Sequence, residues 1–265
     1  MSKSNSKVNR KYGWIRELPG RTKLLRSYSL FHEAAPLPSF IDLTPKMPSV
    51  YDQGQVGSCV GNGVTRCVHF VQMNQPQPSR LFTYFNARIP ENDTDQDGGA
   101  QIHDGVQGTV TYGVIPETEW PYDPSKVTMQ PSQQCYTDAK KDVVTTYFSL
   151  SNDQDIKQCL FAGFPVVFGM TVYESFESEV VATTGIVPMP SATEQAIGGH
   201  CMVIVGYDDI NRQWIVCNSW GTSWGQVGYC RIPYAYIDTF ASDFWTIRAD
   251  SDTPSVEPNV GGSAV

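Results

Sequence analysis

No stretch of this sequence strings together the roughly 20 apolar residues that a membrane-spanning helix needs, so no membrane partner is expected. The opening MSKSNSKVNRKYGWIRELPG has basic groups but lacks the apolar core of a secretory signal, which makes the cytoplasm the default expectation. Positive charge is scarce: 19 Lys and Arg stand against 27 Asp and Glu, a net of −8. A chain of that sign argues against a nucleic-acid partner. Charged residues of all kinds amount to only 17% against 40% hydrophobic, which excludes a disordered chain and allows one substantial core. Internal repeats are missing, and so are the close-set Cys and His pairs of a zinc site, so neither metal nor other cofactor is expected. The seven cysteines are an odd number, and without an export signal most or all are read as reduced.

What is present is unevenly arranged. Residues 1–33 hold eight Lys and Arg and two Glu, a net of +6, and the remainder carries −14. The stretch APLPSFIDLTPKMP reads as an extended, proline-stiffened linker, and DSDTPSVEPNVGGSAV as a polar tail. These shifts divide the chain into a basic extension over 1–37, a folded body over 38–250 and a disordered tail over 251–265. Within the body, PSRLFTYFNARIP, IHDGVQGTVTYGV and NDQDIKQCLFAG have helical apolar spacing. PVVFGMTV, HCMVIVGYD, QWIVCNSW, GYCRIP and DFWTIR read as strands, and GYDDINRQWIV as a hairpin. Helices first and strands later imply an α+β protein, with a helical lobe over about 50–145 and a β lobe over about 146–250. Sites commonly lie between two such lobes.

The segment DQGQVGSCVGNG places Cys59 among glycines and amides rather than apolar neighbours. Val64, Cys67, Val68 and Val71 follow at helical spacing, so the spacing predicts a helix with Ser58 as its N-cap and Cys59 in its first turn. The positive end of the helix dipole favours a thiolate there. A thiol nucleophile needs a base, and there are four histidines. His32 lies in the basic arm. His69 is ten residues along the Cys59 helix, about 15 Å away. His103 beside Asp104 reads as a surface or capping residue. His200, after two glycines in GGHCMVIVGY, stands at the mouth of a strand, and Asn218 in CNSWG can reach it from the neighbouring strand of the hairpin. Cysteine, base and orienter form a nucleophilic set.

The blocks QGQVGSC, GGHCMVIVGY and NSWGTSWGQVGYCRI resemble the nucleophile, histidine and asparagine blocks of the papain-like cysteine peptidases. YGWIRELPG and IHDGVQGTVTYGVIPETEWPYD resemble the bacterial branch of that family. His200 lies 141 residues after Cys59, within the family's spacing of roughly 130–150, and Asn218 at 159 is slightly beyond. The resemblance implies a papain-like two-lobed α+β fold with the cleft between a helical and an antiparallel β-rich lobe. It implies Cys59 as nucleophile, His200 as base, Asn218 as orienter of the imidazole and Trp220 as its shield. Gln53 and the Cys59 N–H would be the oxyanion donors, and Gly57, Gly98 and Gly99 would meet an extended peptide substrate. Cys201 would sit near the second specificity pocket or be a strand-buried thiol, and Ser242 or Asp243 would close that pocket, Asp243 making it acidic.

Three positions depart from the family pattern. Val56 replaces a disulfide cysteine, Val60 an aromatic residue and Gly199 an aspartate. Cys67, Cys135, Cys159, Cys217 and Cys230 read as core or surface residues. The expected activity is that of an endopeptidase acting through a thioester on protein or peptide substrates. Thiol-dependent acyl transfer or peptide ligation, and a non-catalytic peptide-binding module, are the alternatives. The resemblance also implies that residues 1–37 are a prosegment-like, intramolecular inhibitor lying in or across the cleft, with YGWIREL supplying its anchors; a disordered basic arm for localisation or partner binding is the alternative. Cys59 is expected as a thiolate paired with a His200 imidazolium.

Overall fold

The computed structural model describes residues 10–17, 27–28, 36–142 and 146–249. The expected tail over 251–265 and most of the basic extension lie outside the described residues.

Three helices precede the main sheet: α1 (Cys59–Val71), α2 (Arg80–Arg88) and α3 (Ile102–Thr111). In α1 the apolar stripe turns inward, with Val64, Cys67 and Val68 at most 1% exposed. Ser58 stands at the N-cap position as expected, but its side chain makes no capping bond. The hydroxyl is instead held by Tyr122 Oη at 2.5 Å and by Asn62 Nδ2 at 3.0 Å, which ties α1 to a distant loop. Ser79 does cap α2, accepting from the Phe82 N–H. The short α4 (Gln133–Ala139) closes the helical part.

The remaining elements are β2 (Thr146–Leu150), α5 (Asp153–Phe161), β3 (Val166–Tyr173), α6 (Glu179–Thr184), β4 (Ala196–Asp208), β5 (Gln213–Cys217), β6 (Tyr229–Pro233), α7 (Tyr234–Phe240) and β7 (Ala241–Arg248). The strands form an antiparallel sheet in the order β2-β7-β3-β4-β5-β6. The linker stretch contributes β1 (Phe40–Asp42), which pairs with the end of β4. Helices followed by antiparallel strands are the α+β arrangement expected from the sequence.

The β4–β5 hairpin positions the site. Its turn is built by Asp208, whose Oδ1 accepts from the N–H groups of Ile210 and Asn211. The register Val203↔Cys217 then brings His200 and Asn218 to the same end of the two strands. That end meets α1, where Gly63 is so close to β4 that a Cβ would lie 2.9 Å from Cys201 Sγ.

Candidate active site

Cys59 is the first residue of α1 and is completely buried. His200 on β4 is also 0% exposed, and its Nε2 lies 2.8 Å from Asn218 Oδ1. The Ser219 N–H donates to the same Oδ1 at 2.8 Å, so the amide must present its oxygen on this side. Neutral His200 therefore donates from Nε2 and leaves Nδ1 as its basic nitrogen. Nδ1 has no hydrogen-bond partner among the described residues. Trp220 stacks on the imidazole with ring centroids 4.8 Å apart, and Phe176 and Trp224 pack behind it.

Gln53 is buried and held on three sides. Ser219 Oγ donates to Oε1 at 2.5 Å, Tyr122 Oη donates to its carbonyl at 2.9 Å, and Nε2 donates to the Val56 carbonyl at 2.9 Å. The second Nε2 hydrogen points to the Lys11 carbonyl at 3.4 Å. Ser219 and Tyr122 were not singled out in the sequence. Ser219 could have been, since it adjoins Asn218, whereas Tyr122 is brought in only by tertiary packing.

Residues 10–17 lie along this set. Tyr12 meets His200 edge-on at 5.8 Å, and the Arg10 guanidinium sits 3.9 Å from the centre of a Trp220 ring. Gly13 passes so close to Gly57 that a Cβ there would be 1.6 Å from the Gly57 carbonyl oxygen, so only glycine fits. The Trp14 N–H donates to the Gly199 carbonyl at 3.0 Å. Ala100 exchanges bonds with Gly13 and Ile15, at 2.7 and 3.0 Å. Gly99 touches the segment without bonding to it: a Cβ there would meet the Gly13 carbonyl oxygen at 2.4 Å. Gly98 instead makes room for Asp93 of its own loop. The backbone pairing thus falls one residue beyond the glycine pair picked out from the sequence.

Trp14 lies against Gly169, where a Cβ would be 2.0 Å from the indole, and against Gly199. Its Nε1–H donates to Asp243 Oδ2 at 3.1 Å, and the Glu17 N–H donates to the same oxygen at 3.0 Å. Of the two candidates for this position, Asp243 meets the segment and the Ser242 hydroxyl is buried without a hydrogen-bond partner among the described residues. The structure places Cys201 as a buried thiol against Gly63 of α1.

The electrostatics of this covered site overturn one expectation. Burial pushes the Cys59 thiol up to about 11, although backbone N–H groups from Cys201, Gly13 and Val60 act the other way. Burial pulls His200 down to about 4; the Asn218 hydrogen bond opposes this and the Arg10 charge adds to it. Both shifts favour the neutral forms in the covered site, against the expected thiolate–imidazolium pair. Burial, to which Trp220 and residues 10–17 both contribute, is the physical reason, because a charge without solvation is costly. A second correction concerns His103, expected at the surface or in a cap. Its side chain is 12% exposed and packs on Trp245 at 5.2 Å, because α3 lies against β7. His69 binds Tyr51 Oη through Nδ1 at 2.9 Å, away from Cys59. All seven cysteines are buried free thiols, and a buried Val56 stands where the family has a disulfide cysteine. Among the described residues no group of His, Cys, Asp and Glu could hold a metal ion.

Comparison with known proteins adds to this geometry. The family model described as papain family cysteine protease matches residues 37–239. An uncharacterized peptidase C1-like protein of Acanthamoeba polyphaga mimivirus is 37% identical over 278 residues, spanning 93% of this chain and 89% of that protein. The crystal structure of xylellain, a cysteine protease from Xylella fastidiosa, aligns with a TM-score of 0.80 and 34% identity, over 92% of this chain and 97% of that one. Digestive procathepsin L 3 of Tenebrio molitor, at 19% identity and a TM-score of 0.68 over 91% and 77% of the two chains, shares the fold. The chain belongs to the papain family of cysteine proteases.

Proposed function

We propose that the protein is an endopeptidase working through a thioester, held inactive by its own N-terminal segment. The observation that carries this reading is Lys11: a carbonyl of the chain itself stands 3.4 Å from Gln53 Nε2 beside the buried Cys59. In the open enzyme His200 Nδ1 takes the Cys59 proton, and the thiolate attacks the substrate carbonyl. The oxyanion is received by Gln53 Nε2 and by the Cys59 N–H, which has no intrahelical acceptor at the start of α1. The imidazolium then protonates the leaving amine as the C–N bond breaks. Water, deprotonated by His200, attacks the thioester, the C–S bond breaks and the acid is released. Asn218 keeps the imidazole in the required tautomer throughout, and Trp220 covers it. The Gly169–Gly199 slot with Asp243 at its end takes a large side chain bearing an N–H or a positive charge.

The test compares the full chain with its Gly13→Ala variant on a small fluorogenic peptide. The added Cβ cannot coexist with the Gly57 carbonyl, so the segment should leave the cleft. Activity should rise at least several-fold and vanish when Cys59→Ser is added. Equal activity of parent and Gly13→Ala would remove the inhibitory role. Turnover that survives Cys59→Ser would remove the thioester.

A further inference from the structure

Behind the Asn218 amide, α1 and the β4–β5 hairpin border a small cavity of about 10 Å3, the room of one small occupant. Two of its lining residues carry polar atoms that nothing satisfies. Arg66 on α1 is 2% exposed, and its Nη1 donates to the Pro48 carbonyl at 3.0 Å. Its guanidinium carbon lies 4.1 Å from the centre of the Tyr51 ring, but Nη2 is buried without a hydrogen-bond partner among the described residues. Asn218 commits Oδ1 to His200 and to the Ser219 N–H, and its Nδ2 is likewise buried and unpartnered among them. Both orphans are donors, and a buried donor left unpaired is costly.

Arg66 is also a buried cation. No carboxylate reaches it at ion-pair distance among the described residues, and no acidic side chain lines the cavity. Ionisable neighbours do not supply the missing negative charge. Burial pushes the Cys67 and Cys217 thiols and the Tyr51 hydroxyl up against the pull of Arg66, which favours their neutral forms. Burial and the Arg66 charge together lower His69, so it adds no second cation. A water molecule is a poor match for two donors, because it brings two hydrogens that need acceptors of their own. The side-chain oxygens lining the cavity are already engaged: Ser219 Oγ donates to Gln53, and Asn62 Oδ1 accepts from Arg80 at 3.3 Å.

We infer that this cavity is a halide site, taking a chloride ion between Arg66 Nη2 and Asn218 Nδ2. A monatomic anion accepts from both donors, offsets the guanidinium charge and has no hydrogen to place. Sulfate and phosphate are too large for the space. The ion holds the Asn218 amide through its nitrogen, as His200 and Ser219 hold it through its oxygen. It is thus a positioning element behind the imidazole and touches no substrate. The site lies outside the peptidase chemistry, and its test needs no turnover.

Crystals of the full chain grown with sodium bromide in place of chloride, with data collected at the bromine edge, should show an anomalous peak in the cavity touching both nitrogens. In solution, chloride titrated against gluconate at constant ionic strength should raise the unfolding temperature saturably, by about 2–4 °C. Arg66→Met should abolish that rise, since it keeps the length of the side chain and removes the cation and the donor. Replacing a buried charge by an apolar group of similar volume is commonly tolerated. A cavity without an anomalous peak, or one holding only a water, overturns the inference. So does an unfolding temperature indifferent to chloride, or a chloride response that Arg66→Met retains. Should Arg66→Met not fold, the anomalous map of the parent decides.

Discussion

The two ends of the docked segment are held by different physics. At one end Lys11 and Tyr12 reach the carboxylates of Asp97 and Glu177, and the Arg10 guanidinium lies over the face of Trp220. At the other, Trp14 fills a slot cleared of side chains by Gly169 and Gly199. The charge separation in the sequence, +6 over residues 1–33 against −14, favours the first end by long-range attraction. The expected anchor YGWIREL contains Trp14, and the geometry points to that second end. Lys11 is 47% exposed in its pair with Asp97, and such pairs contribute about 0–1 kcal/mol. Covering part of an indole removes enough apolar surface for roughly 2 kcal/mol, before its bond to Asp243 is counted. Charge brings the segment to the body, and the indole keeps it there.

The largest effect should therefore come from the apolar end. Trp14→Ala in the full chain should lose about 2 kcal/mol of docking, which shifts the closed-to-open ratio by about 30-fold. Peptidase activity should climb toward the level of Gly13→Ala, while thermal unfolding of the body hardly moves, because Trp14 lies outside its core. Activity within twofold of the parent would return the anchoring role to the charged end.

The same contrast between short and long range explains what could be read in advance. The α1 stripe of Val64, Cys67 and Val68 and the hairpin uniting His200 with Asn218 are local patterns, so residue spacing alone exposes them. Ser58 looked like a cap by the same local logic, but Tyr122, 64 residues away, takes its hydroxyl. Asp97, the partner of Lys11, had no local signature at all, because it is tied to the N–H of Gly57, 40 residues earlier. The backbone pairing passed from Gly99 to Ala100 because the path of an incoming strand is set by its partners on both sides, here Gly57 and Gly199. His103 was misread because nothing near it in sequence announces that β7 will cover α3. Contacts between distant segments, rather than element type, were the part hidden from view.

An intermediate effect is expected over the first pH unit below about 6.5, where pH acts on the covered centre between the two ends. The closed state holds His200 at about 4, and solvation in the open state restores it toward its ordinary value near 6.5. The open form therefore binds the extra proton more readily. Closure is at full strength above about pH 6.5 and weakens as pH falls toward 4, by up to tenfold in the first unit. Cys59 acts oppositely: raised to about 11 when closed, it favours closure below its open-state value, and that contribution is lost as pH rises toward 11. Closure should be tightest near neutrality. The check is the rate of iodoacetamide labelling at Cys59 in the parent divided by that in Gly13→Ala. The quotient should be lowest near pH 7 and rise on the acid side. A quotient that stays flat from pH 8 to pH 4 would mean that covering does not shift His200.

The smallest effect belongs to the charged end. Lys11→Gln removes the ammonium from Asp97 but keeps a long side chain and the carbonyl at Gln53. With an exposed pair worth at most about 1 kcal/mol, activity of the full chain should rise no more than about fivefold. The rise should fade with added salt, which screens the pair in the parent and so brings the parent up to the variant. Trp14→Ala should keep most of its advantage over the parent under the same salt, since burial of an indole is not screened. The two variants separate the terms because each leaves the other end of the segment intact. If Lys11→Gln opened the enzyme as far as Trp14→Ala, and salt alone did the same, the segment would be held by its charge and the indole slot would be secondary.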